Sequence, residues 1–105
     1  MPEPPGPGTP GFDRLVHEPA RLAILTHLYV VADANATYLL GRTGLTWGNL
    51  ASHLSKLEDA GYVKVVKGYK GKRPETTLSL TPEGRFALEA YREQMLDALA
   101  PLDTA

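Results

Sequence analysis

Cysteine is absent from this chain of 105 residues, which excludes disulfides, thiolate metal sites and thiol redox sensing. Long apolar runs are absent too: none approaches the roughly 18 residues of a membrane span, and the first residues lack the charged and apolar regions of a signal peptide. The expected setting is therefore the cytoplasm, without a membrane partner. There is no phosphate-binding glycine loop and no nucleophile beside a base, and His17, His27 and His53 lack the spacing of metal ligands. Glu58 and Asp59 read as solvated helix residues, because a general-acid pair needs a pocket that a core this small scarcely provides. No enzyme, cofactor or metal is expected.

A large charge of one sign is also missing. The formal net charge is −1, and such a balance gives no global attraction to nucleic acid. The average conceals a segregation along the chain. From Arg42 to Arg73 there are seven basic residues (Arg42, Lys56, Lys64, Lys67, Lys70, Lys72, Arg73) against Glu58 and Asp59, a local surplus of five. A basic middle between acidic flanks is an electrostatic footprint concentrated on one part of the fold.

What the chain does contain is sharply punctuated. Met1 to Gly11 (MPEPPGPGTPG) holds five prolines and three glycines without apolar periodicity and reads as a disordered arm, leaving residues 12–105 for one small domain. A helical pattern begins over Phe12 to Val16, breaks at Pro19 and resumes with Leu22, Leu25, Leu28 and Val31 as the inward face. Pro19 suits a first helical turn, where its missing N–H has no partner to lose. Asp33 to Asn35 is a break. Ala36 to Thr43 is a second helix with Tyr38 and Leu39 inward, closed by Gly44.

The third helix carries most of the information. Thr46 is its expected N-cap, Gly61 its stop, and Trp47, Leu50, Leu54 and Leu57 its apolar stripe. Opposite lie Gly48, Ser52, Ser55, Lys56 and Asp59, with Asn49 and His53 on the shoulders. Small hydrogen-bonding side chains followed by a lysine suit a helix that enters a major groove. Trp47, being on the stripe, reads as a core or shoulder residue before it reads as a base contact. His53 has as much claim to packing or hydrogen bonding as to DNA.

After Gly61 the period changes to two. Val63 and Val65 alternate with Lys64, Lys70 to Pro74 supplies turn chemistry, and Thr76, Leu78 and Leu80 alternate with Thr77 and Ser79, giving a β-hairpin with a basic tip. Thr81-Pro82-Glu83 opens a last helix with a Thr cap, Pro at the first helical position and an acid at the positive dipole end. That helix runs to about Leu99. The order helix, helix, helix, hairpin, helix, mainly α with a small β wing, is a winged helix-turn-helix.

The run GLTWGNLASHLSKLEDAGYVKVVKGYKGKRPETTLSLTPEGRFAL resembles the small MarR- and ArsR-like winged-helix transcriptional regulators, and HEPARLAILTHL resembles the opening of their first helix. The resemblance covers Phe12 to Leu99, and LSKLEDAGYV and LTPEGRFAL are its specific parts. It implies a sequence-specific regulator of the repressor kind on double-stranded DNA. The third helix would be the recognition helix, with Asn49, Ser52 and Lys56 facing DNA, Thr46 and Trp47 at its start and Ser55 at its edge. Lys67, Lys70, Lys72 and Arg73 on the wing would reach a phosphate backbone or minor groove. Ala51 departs from the hydroxyl residue often found there, so the phosphate interaction of that position is lost or passes to Ser52. The rival reading is a winged-helix module that binds protein, against which the basic wing tip argues.

A homodimer is expected from surplus apolar residues on the last helix. Leu88, Tyr91, Met95, Ala98 and Leu102 recur at alternating spacings of three and four as a helix-pair seam, with Phe86 and Leu99 turned to the domain's own core. Two-fold symmetry then calls for a pseudo-palindromic operator. A small-molecule effector is left open, since no residue points to one.

Overall fold

The computed structural model describes residues 11–104, and the expected arm, except for Gly11, lies outside the described residues. Four helices pack on one face of a three-stranded antiparallel sheet. The elements run α1 (Pro19–Val31), β1 (Asp33–Asn35), α2 (Ala36–Thr43), α3 (Trp47–Asp59), β2 (Val63–Lys70), β3 (Arg73–Leu80) and α4 (Pro82–Leu99), followed by a 3₁₀ turn over Ala100–Thr104. This is the winged-helix architecture.

The Phe12–Val16 stretch is a turn and not the start of a helix. The Asp13 carboxylate accepts from the N–H groups of Leu15 (2.9 Å) and Val16 (3.3 Å), offering the backbone a local partner in place of a helical ladder. α1 starts at Pro19, with Glu18 as its N-cap. Its buried face is Ile24, Leu25 and Leu28; Val31, expected inward, is exposed because the chain leaves the core at Ala32, at φ 69°. Asp33–Asn35 forms a short strand that pairs with β3, Ala34 opposite Leu78. Both of those residues enter the core, so the sheet has a third strand beyond the expected hairpin.

The hairpin turn is tighter than Lys70 to Pro74. Lys70 pairs with Arg73 and only Gly71 and Lys72 lie between them, with Gly71 at φ 65° supplying the positive φ that a two-residue hairpin needs. Pro74 fits inside β3 because it stands opposite Tyr69, one step past the closing pair, where its nitrogen points away from β2 and lies beyond the reach of β1.

α4 docks through a close backbone approach. Thr81 caps it by accepting from the Gly84 N–H (3.0 Å), and the Thr81 N–H donates to the Tyr62 carbonyl (3.1 Å). A Cβ on Gly84 would run into that same carbonyl oxygen, so only glycine fits. Tyr62 in turn donates its hydroxyl to Asp13 (2.5 Å). That hydrogen bond, burial and the carboxylate charge push the phenol up to about 12. The core is sealed by Leu25, Leu28, Leu39, Leu50, Leu57 and Leu78, all fully buried or nearly so.

Candidate nucleic-acid interface

Two local devices present α3 to solvent. Gly44, left-handed at φ 71°, ends α2 by donating to the Leu40 carbonyl (3.0 Å), and two residues later Thr46 caps α3 by accepting from the Asn49 N–H (3.1 Å). The turn between the helices is therefore fixed at both ends. Gly61, at φ 79°, stops α3 as expected, donating to the Glu58 carbonyl (2.9 Å).

Leu50, Leu54 and Leu57 bury one side of α3, and Asn49, Ser52, Ser55 and Lys56 lie exposed on the other. Among the described residues, none of those four polar side chains has a hydrogen-bond or salt-bridge partner. Their donors and acceptors are free for a ligand. Trp47 is not part of the core stripe: it is 60% exposed. It is the first residue of α3 and lines an open cleft beside Val65 and Lys67, so helical phase alone does not bury it.

The wing divides its cations. Successive residues of a strand face opposite sides, so Val63, Val65, Lys67 and Tyr69 share the face toward α3, while Lys64, Val66 and Lys70 share the other. Lys67 stands opposite Thr76, and Lys70 opposite Arg73. A cleft of about 310 Å³ between α3 and the wing is lined by Trp47, Ser55, Glu58, Val65 and Lys67, so the recognition face and the inner wing are continuous. Lys70 and Arg73 point outward and Lys72 sits at the tip. Among the described residues none of these cations is in a salt bridge.

On its far shoulder α3 is tied to α1. Arg21 Nη1 donates to His53 Nδ1 (3.2 Å), Arg21 Nε donates to the Leu15 carbonyl (2.7 Å), and Glu18 lies 3.8 Å from His53 Nδ1. Burial pushes the Glu18 carboxyl up. The N–H groups of Arg21 and Ala20, with the charge of the Arg21 guanidinium, outweigh it and hold the carboxyl below its ordinary value. Thirty-two residues separate Arg21 from His53, so no spacing in the sequence announces this tie.

The expected seam on α4 is not a free stripe. Tyr91 is buried in its own domain, its hydroxyl 2.8 Å from His17 Nδ1 and its ring 5.4 Å from that of Phe12. Leu88 and Met95 are half-buried beside it, and only Ala98 and Leu102 are exposed. Phe86 and Leu99, expected inward, are outside, Phe86 at 74%. The N-terminal segment covers Tyr91, one member of the line that helical periodicity had assigned to a partner. A groove of about 770 Å³ runs between α1 and α4, lined by Tyr29, Val30, Phe86, Leu88 and Met95. Arg85 stacks over the Tyr29 ring (4.5 Å) at this groove and the Tyr29 hydroxyl donates to Glu89 (3.0 Å). Among the described residues no cluster of His, Asp and Glu could hold a metal, and no helix is long and apolar enough to cross a membrane.

Residues 20–99 match the family described as a winged helix DNA-binding domain. An uncharacterised protein of Methanocaldococcus jannaschii is 34% identical over 83 residues, 79% of this chain and 90% of its own. A transcriptional regulator homologue from Pyrococcus horikoshii OT3 superposes with a TM-score of 0.80 at 28% identity, over 87% of this chain and 90% of its own. A transcriptional regulator of the MarR family from Silicibacter pomeroyi shares the fold, with a TM-score of 0.65 at 19% identity over 85% of this chain and 59% of its own.

Proposed function

This chain belongs to the winged helix DNA-binding domain family, and from that premise we propose that it is a cytoplasmic, sequence-specific repressor that binds double-stranded DNA as a homodimer. In this reading Asn49, Ser52 and Lys56 enter the major groove, with Thr46 and Trp47 at the start of the helix and Ser55 at its edge. Asn49 has the amide donor and acceptor that pair with an adenine edge. Lys67 holds the strand that passes between α3 and the wing, and Lys70, Lys72 and Arg73 meet the adjoining backbone or minor groove, supplying attraction and register more than sequence discrimination.

One observation carries the proposal: the exposed polar face of α3, unpartnered among the described residues, continues into a wing whose cations are likewise unpaired among them. A surface meant only to be solvated has no need to collect a surplus of five positive charges in a chain of net charge −1.

The second copy is assigned to the groove between α1 and α4. Beyond Met95 the chain carries Leu96, Leu99 and Leu102, all exposed. An apolar projection and an apolar groove on one molecule permit a reciprocal, closed two-fold contact in which each copy's Leu96–Leu102 segment lies in the other's groove. Arg92 and Glu93 stand between groove and projection as adjacent opposite charges, 3.4 Å apart, and can exchange partners across the axis. No effector is assigned.

A mobility-shift assay on random duplexes followed by sequence selection tests the reading. The expected result is salt-sensitive binding and enrichment of a pseudo-palindrome. Binding to no duplex at low salt would leave the protein-interaction reading in its place.

A further inference from the structure

We propose that His53 is a positioning residue that sets the roll of α3 about its own axis through its bond to Arg21, and thereby controls discrimination between DNA sequences without touching DNA. The proposal rests on α3 being the recognition helix. Among the described residues, the Arg21–His53 hydrogen bond is the one side-chain hydrogen bond that joins α3 to another helix. Beside it stand the longer Glu18–His53 contact (3.8 Å) and the packed Leu50, Leu54 and Leu57, whose apolar contacts are non-directional. The close-packed leucines hold the helix against the core, and the directional bond narrows the rotation that repacking would otherwise allow.

The chemistry of the pair fixes its orientation. A guanidinium has donors only, so Nδ1 of His53 must accept and the ring proton must sit on Nε2. Arg21 is itself held, since its Nε donates to the Leu15 carbonyl and its backbone N–H donates to Glu18 (2.8 Å). The bond therefore runs from a fixed donor on α1 to the shoulder of α3.

Roll matters more to some DNA contacts than to others. With side chains a helix has a radius of about 5–6 Å, so a roll of about 10° carries a side-chain tip about 1 Å. That exceeds the tolerance of a hydrogen bond to a base edge, which spans only about 2.7–3.2 Å. Asn49 and Ser52 are short and cannot compensate, whereas the long side chains of Lys56 and the wing lysines can follow a phosphate. Loosening the tie should leave non-specific binding intact and erode preference.

The test compares His53→Leu, His53→Gln and His53→Asn, each checked by circular dichroism. Affinities are measured for the duplex enriched by selection and for a scrambled duplex of equal length. Asparagine places an acceptor where Nδ1 stands; glutamine reaches one bond further and misses it. Leu and Gln should lower the ratio of specific to non-specific affinity by about tenfold, the discrimination of one base contact. Scrambled-duplex affinity should stay within about twofold, and Asn should restore the ratio. In an Arg21→Met background His53→Gln should have no further effect. The proposal is overturned if His53→Gln keeps the parent ratio, if specific and scrambled affinities fall together, or if His53→Gln costs the same factor without Arg21. Asn49→Ala separates the two levels. If it alters preference while the His53 variants do not, only the positioning role falls; if it alters nothing, α3 does not read sequence and both fall.

Discussion

Replacing Leu99 and Leu102 with glutamate should split the proposed dimer. Fully burying a Leu, Val or Phe side chain contributes about 1.5–3 kcal/mol, and Val30, Phe86, Leu96, Leu99 and Leu102 are each exposed by about half or more. Covering them would return about 1–2 kcal/mol each, or roughly 10–20 kcal/mol over both copies. Association itself costs several kcal/mol and a micromolar dissociation constant requires a net of about 8 kcal/mol, so a few of these residues decide whether the dimer forms. Leu99→Glu with Leu102→Glu removes four such side chains per dimer, about 4–8 kcal/mol, and weakens association about a thousandfold or more. The complementary variant, Val30→Lys with Phe86→Lys, spoils the groove. In sedimentation at micromolar concentration each variant alone should be monomeric and the parent dimeric. Mixing the two should restore a dimer, because the heterodimer holds one unaltered contact and one glutamate–lysine contact. A monomeric parent refutes the dimer, and a mixture that stays monomeric refutes the reciprocal groove. Substituting Tyr91 would be uninformative here, since its burial in the domain's own core would confuse folding with assembly.

The wing cations offer a second test: Lys72→Ala or Arg73→Ala should weaken binding to all duplexes alike and lower the salt slope by roughly 0.9 for each phosphate no longer neutralised, while an unchanged slope in both would remove the wing from the interface. Gly84→Ala forces a Cβ toward the Tyr62 carbonyl and should cost about 2 kcal/mol, seen as a fall of roughly 10 °C in Tm; an unchanged Tm would contradict the close approach. Tyr62, raised to about 12 in the fold from 10.0, favours its protonated form in the native state. Its contribution is fully present below pH 10 and is lost as pH rises toward 12, so denaturant midpoints should fall between those values in the parent and much less in Tyr62→Phe.

Elements whose ends are written locally were legible in the sequence. Thr46 and Gly61 bracket α3, Asn35 and Gly44 bracket α2, and Thr81-Pro82 opens α4, because caps and stops act within a turn of the residue that makes them. The polar face of α3 followed from helical phase once those limits were set. β1 escaped notice because three residues are too few to show alternation, and it exists only through its pairing with β3. The burial of Tyr91 was hidden for a related reason: periodicity shows that Leu88, Tyr91 and Met95 share a face but not what covers it, and Phe12 and His17 come from the far end of the chain. Trp47 went the other way, in phase with the core yet exposed, because at the helix start it lines the open cleft toward the wing. The Arg21–His53 tie depends wholly on the packing of α1 against α3.

The most direct measurement of the central claim is sequence selection from a random duplex library, run in parallel with the parent and with an Asn49→Ala, Ser52→Ala variant. The parent should enrich a pseudo-palindrome with half-sites about 34 Å apart, one turn of DNA. The variant should still bind duplex but lose or change preference at the same positions in both half-sites, by about 1–3 kcal/mol for each base no longer read. An identical motif from both proteins, or no motif from the parent, would contradict the reading of α3 as the helix that recognises sequence.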